Sequence, residues 1–80
     1  MKKILNGLLY DTDKAKELAR TCTNWILMIT NNNRYFLFYL GDSWNEEVIK
    51  PLTEYDAKKW VNHNFNIDKY IELFGQPEEA

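Results

Sequence analysis

The sequence predicts an α+β fold: a small antiparallel sheet of three to four strands with two to three helices packed on one face. Three observations lead there. Residues 25–40, WILMITNNNRYFLFYL, place two apolar runs on either side of a polar, asparagine-rich turn. Residues 53–75 carry apolar positions at helical spacing behind cap residues, and residues 11–22 carry a shorter stripe of the same kind. Eighty residues make one domain, 1–80.

The chain begins with Lys3-Ile4-Leu5-Asn6-Gly7-Leu8-Leu9-Tyr10. Asn-Gly between apolar residues signals a tight turn, so a small hairpin is expected, pairing with the edge of the main one. Asp11-Thr12-Asp13 reads as a helix cap, its oxygens accepting from free backbone N–H groups at the positive end of the dipole. Ala15, Leu18, Ala19 and Cys22 follow at i, i+3, i+4 and i+7, which predicts a helix whose small residues lie against the sheet.

Trp25–Thr30 and Tyr35–Leu40 have the length and the aromatic and β-branched content of strands. An Asn32-Asn33 centre suits a type I′ turn, because Asn tolerates positive φ. That turn pairs Ile29 with Phe36 and Trp25 with Leu40. It gathers Trp25, Leu27, Ile29, Phe36, Phe38 and Leu40 on a core face, and Ile26, Met28, Thr30, Tyr35, Leu37 and Tyr39 on an amphipathic outer face. The outer face is expected to be covered by a terminal strand, left at the surface, or used for self-association.

Gly41-Asp42-Ser43 is a turn. Residues 44–50 read either as a third strand along Val48-Ile49 or as an acidic loop, with Pro51 ending regular pairing. Thr53-Glu54-Tyr55-Asp56 resembles a capping box with Asp in place of Glu, opening a helix lined by Ala57, Trp60 and Val61. Asn64-Phe65-Asn66 breaks it. Ile67, Tyr70, Ile71 and Phe74 then form another stripe, closed by Gly75 and Pro77.

Composition narrows the function classes. One cysteine, Cys22, permits no internal disulfide, and no apolar run approaches the roughly 20 residues of a membrane span. Asn6, Gly7, Tyr10 and Asp11 interrupt the opening too early for a signal peptide, so a cytoplasmic protein is expected. Net charge is −2, without the basic footprint of a nucleic-acid binder, and direct nucleic-acid binding is not expected. Residues 42–56 hold Asp42, Glu46, Glu47, Glu54 and Asp56 against Lys50 alone. A charged partner would therefore be basic.

Catalytic chemistry finds little support. His63 is the lone histidine, with no partner set for a metal, and Cys22 reads as a packed small residue. Asp11 and Asp13 are explained by capping, and no phosphate loop, nucleophile elbow or zinc spacing occurs. No cofactor, metal or catalytic residue is expected. The suggestive feature is the acidic stretch with its aromatics. Acids around aromatics can occupy a basic groove that normally holds phosphates, since Arg and Lys pair with carboxylates through the same charge-assisted bonds. Solvated carboxylates and helix caps would account for the same residues without a partner.

Several short motifs carry a resemblance. They are Met-Lys-Lys-Ile with Asn6-Gly7, Tyr10-Asp11-Thr12, Tyr35-Phe36-Leu37, Ile49-Lys50-Pro51-Leu52-Thr53 leading to Ala57 and Trp60, and Ile67-Asp68-x-Tyr70 to Phe74-Gly75. Their order is similar to small hypothetical proteins carried by phages and mobile elements of Gram-positive bacteria. Many of those carry a Gly-rich insertion after the Tyr-Phe-Leu strand, where this chain has only Gly41-Asp42-Ser43-Trp44. The resemblance implies a setting, the host cell cytoplasm, in which such proteins often block defence machinery, anti-CRISPR proteins among them. The expected function is therefore a non-catalytic inhibitor of a host nuclease complex such as a CRISPR effector. Tyr35, Tyr39, Asp42, Trp44, Glu46, Glu47, Glu54 and Asp56 would contact the partner. The alternative is a homodimeric structural or regulatory domain associating through the outer hairpin face.

Overall fold

The computed structural model describes residues 1–80 as six strands followed by two helices. Strands β1 (Lys2–Leu5) and β2 (Leu8–Asp11) form a two-stranded sheet. Strands β3 (Lys16–Arg20), β4 (Trp25–Ile29), β5 (Tyr35–Tyr39) and β6 (Val48–Leu52) form a four-stranded antiparallel sheet in that order. Helices α1 (Glu54–Asn64) and α2 (Ile67–Phe74) close the chain.

The β1–β2 hairpin turns at Asn6 and Gly7, both at positive φ (53° and 76°), as an Asn-Gly turn requires. Contrary to expectation, it does not extend the main sheet at an edge. It lies across one face, where Tyr10 meets Phe36 edge-to-face with ring centroids 5.4 Å apart. Two short strands gain more by burying Leu5, Leu8 and Tyr10 against a large apolar face than by adding a few edge hydrogen bonds.

The predicted helix over residues 15–22 is a strand instead. Asp11 forms a turn rather than a cap: its carboxylate accepts from the Asp13 N–H at 3.0 Å, and its carbonyl from Lys14 and Ala15. The chain then reverses into β3, which satisfies the backbone of β4 along the edge that the β4–β5 hairpin leaves open. A bulge between Glu17 and Ala19 explains the misleading periodicity. The extra residue brings Glu17 and Arg20, three apart, onto one face, where they pair at 2.8 Å; in a regular strand they would point oppositely. Cys22 lies exposed in the following turn rather than packed.

The main hairpin forms as expected, but one residue out of register. Its loop is Asn31-Asn32-Asn33, three residues long, with the Thr30 carbonyl accepting from Asn33 and only Asn33 of the three at positive φ (61°). Ile29 therefore pairs with Tyr35 and Trp25 with Tyr39. The slip exchanges every β5 side chain between faces. Ile26, Met28, Phe36 and Phe38 form the core with Tyr10 and Ile49 beneath the N-terminal hairpin. Leu27 and Leu37 form a second core with Ala19, Ala57 and Val61 beneath the helices, flanked by Trp25, Tyr35, Trp60 and Tyr70. Neither face is left as an apolar outer surface. The predicted core residue Leu40 is exposed just past β5.

Residues 48–52 resolve the ambiguity in favour of a strand, and Pro51 sits within it. Because β6 is an edge strand with one neighbour, the missing N–H of Pro51 is tolerated. Thr53 caps α1, its hydroxyl accepting from the Asp56 N–H at 3.1 Å, and Ala57 and Val61 below it are fully buried. Asn66 caps α2 in the same way through Lys69, and Gly75 ends it at φ 86°. The inward stripe of α2 is Tyr70, Leu73 and Phe74. Ile67, expected on that stripe, is 68% exposed in the first turn.

Candidate functional site

The loop after β5 is held by local polar bonds, and it displays rather than buries its largest side chain. Gly41 turns the chain at φ +83°, where a Cβ would approach the Asn45 carbonyl to 3.1 Å, so a larger residue would be both strained and crowded. Its carbonyl accepts from the Asn24 side chain at 3.4 Å, and the Leu40 N–H donates to the Asn24 carbonyl at 2.9 Å. These bonds anchor the loop to the start of β4. Asp42 then closes the turn. One carboxylate oxygen accepts from the backbone N–H groups of Trp44 and Asn45, each at 2.7 Å, and the other from the Tyr39 hydroxyl. The Asn45 side-chain amide reaches both oxygens, and the Asp42 N–H donates to the Asn45 carbonyl at 2.9 Å.

These donors favour the ionised form. The Tyr39 hydroxyl, ahead of the two backbone amides and Asn45, lowers the Asp42 carboxyl to about 2. The same bond raises the Tyr39 phenol, since the neutral hydroxyl is the donor. Asp42 is therefore a structural anion at neutral pH. Most of its hydrogen-bonding capacity is spent inside the loop.

Trp44 projects from this turn with 93% of its surface exposed. Exposed Glu46 and Glu47 follow it, and neither belongs to an ion pair, the two in the structure being Glu17–Arg20 and Lys69–Glu72. Met1, Leu40 and residues 41–47 line an open depression of about 720 Å³. An exposed Leu40 and Val48 flank the loop at its two ends.

Of the eight residues singled out in the sequence, five come together here: Tyr39, Asp42, Trp44, Glu46 and Glu47. Tyr39 supports the loop and packs on Trp25, with ring centroids 4.9 Å apart. Tyr35 and Glu54 lie at the other end of β5 and β6, roughly 13 Å along the strand at about 3.3 Å per residue. There Tyr35 is half-buried against Phe74, and its phenol is raised by burial first and by the Glu54 charge second. Asp56 shares the first turn of α1 with Glu54 but lines a different groove, which also holds Lys50 and Lys59. The acids of 42–56 thus divide among three places.

Sequence reasoning passed over Asn24, Gly41 and Asn45 as parts of the site. The signal for two of them was present: Gly before Asp, with Asn three residues after it, is the composition of an Asx-closed turn. Asn24 joins only through strand pairing and leaves no local trace. Comparison with family models, with curated proteins and with solved structures finds no match to this chain. No helix is long and apolar enough to cross a membrane.

Proposed function

We propose that this chain is a non-catalytic binding protein whose 41–47 loop docks Trp44, flanked by Glu46 and Glu47, into a basic groove of a partner protein. The observation that carries this reading is the 93% exposure of Trp44 on a turn tied down by Asp42. An indole left in water contributes little to folding, while a pre-formed loop loses little further entropy on docking. Aromatic anchors of this kind dominate interface energy, and their truncation costs about 2 kcal/mol or more, roughly thirtyfold in affinity. The two unpaired glutamates supply carboxylates that arginine and lysine of a phosphate-binding groove can pair with.

The resemblance to phage and mobile-element proteins makes a host defence nuclease complex, a CRISPR effector among them, the partner class proposed. Inhibition would then be by occupation: the loop takes the place of the nucleic-acid backbone. Tyr35, Glu54 and Asp56 lie outside the docking loop in this reading. The test is capture of the partner from nuclease-treated lysate of a Gram-positive host by tagged protein, followed by identification of the bound chains. Near-stoichiometric recovery of a nuclease by the wild type, lost with Glu46→Lys/Glu47→Lys, is the expected result. Equal recovery by the charge-reversed variant, at unchanged melting temperature, would remove the reading.

A further inference from the structure

A second surface, on the helix side of the sheet, has the opposite charge. Lys50 pairs with Leu37 across β5 and β6, so its side chain points to the face on which α1 lies. Lys59 and His63, four residues apart on α1, share one side of that helix. With Pro51 and Trp60 they line an open groove of about 440 Å³ between the edge strand and the helix. The floor is apolar and the rim is polar. Asp56 is the one carboxylate on the rim, and it forms no salt bridge with either lysine, since the ion pairs of the structure lie elsewhere. Two ammonium groups without an ion pair thus share the groove with an apolar floor.

We propose that this groove binds a small phosphate monoester carrying an aromatic or apolar body. Lys50, Lys59 and His63 line one groove and bring two ammonium groups and an imidazole to it, which suits the charge and the several acceptor oxygens of a phosphoryl group. The body of the ligand lies over Trp60, Pro51 and Leu37, removing apolar surface from water. The site is separate from the 41–47 loop, so its occupancy and the proposed partner binding are independent measurements.

The test is titration of the full chain with phenyl phosphate, and in a second arm with inorganic phosphate, followed by amide and indole NMR. Phenyl phosphate is expected to shift the Trp60 indole N–H and the Lys59 and His63 amides saturably. It should bind about tenfold more tightly than inorganic phosphate, because only the ester covers the apolar floor. Lys50→Gln/Lys59→Gln should weaken it about tenfold or more through loss of two charge-assisted bonds. Both lysines are exposed and belong to no ion pair, and the spectrum itself reports that the variant is folded. Absence of saturable shifts around Trp60, equal affinity for the two phosphates, or equal binding by the folded double variant would each overturn the proposal.

Discussion

The centre of the main sheet and the loop that leaves it treat large apolar side chains in opposite ways. Within β4 and β5, Ile26, Leu27, Met28, Phe36, Leu37 and Phe38 are all buried, between the N-terminal hairpin on one side and the helices on the other. A few residues further on, Trp44 stands in water on a loop held by polar bonds alone. Small domains have little apolar surface to spare, because a chain of this length buries only about 60% of what it exposes when unfolded. A tryptophan withheld from such a core is the observation on which the proposed docking role of the loop rests, and the loop is tied to the sheet through Asn24 and Tyr39.

The contrast can be broken or sharpened by substitution, beginning with the largest effect. Phe36→Ala removes a fully buried ring that touches Tyr10, and should cost about 3–5 kcal/mol by denaturant unfolding, most of the stability of a domain this small. Gly41→Ala combines positive φ with a crowded Cβ, and should cost about 1–3 kcal/mol while disturbing amide shifts chiefly in residues 41–47. A small loss there, with unmoved loop shifts, would mean the turn is less constrained than its geometry indicates.

The next effect is one of pH. Asp42 titrates near 2 in the folded loop and in the ordinary carboxylate range when unfolded, so its contribution is present above that range and is lost as pH falls toward 2. Carboxyl-carbon NMR of Asp42 should give a midpoint near 2 in the wild type, and Tyr39→Phe should move it upward by removing the principal donor. A midpoint that stays in place would mean the backbone amides alone hold the charge. The smallest effect is that of Trp44→Ala on folding, expected to lie within about 0.5 kcal/mol of the wild type by thermal melting.

What was legible in the sequence were the elements whose signals are local. Asn6-Gly7 placed the first hairpin, Thr53 and Ala57–Val61 placed α1, and the break at Asn64-Phe65-Asn66 with Gly75 bounded α2. Three elements were misread, two because a neighbour in space decided the outcome and one because the turn was ambiguous. The β3 bulge imitated a helical period, and only the open edge of β4 makes a strand of Lys16–Arg20. Three consecutive asparagines left the positive-φ position undetermined, and the choice of Asn33 alone moved β5 by one residue and exchanged its faces. Pro51 argued against a strand by its chemistry, yet it lies in one because β6 is at the sheet edge.

The candidate site was legible in part for the same reason. Asp42, Trp44, Glu46 and Glu47 are contiguous, so their grouping needed no tertiary information. Tyr35 and Glu54 were grouped with them by sequence proximity alone, and the length of β6 separates them. Both edges of the four-stranded sheet are also blunted, β3 by its bulge, Lys16 and Arg20, and β6 by Lys50 and Pro51. Growth of the sheet by strand addition is thereby disfavoured.

The central claim is that Trp44 serves binding and not folding. The most direct measurement is a paired one on wild type and Trp44→Ala: melting temperature, and capture of the proposed nuclease partner from nuclease-treated Gram-positive lysate. Coincident melting curves, with partner recovery lost in the variant, are the expected result. Undiminished recovery by Trp44→Ala, or a melting temperature that falls with it, would contradict the claim.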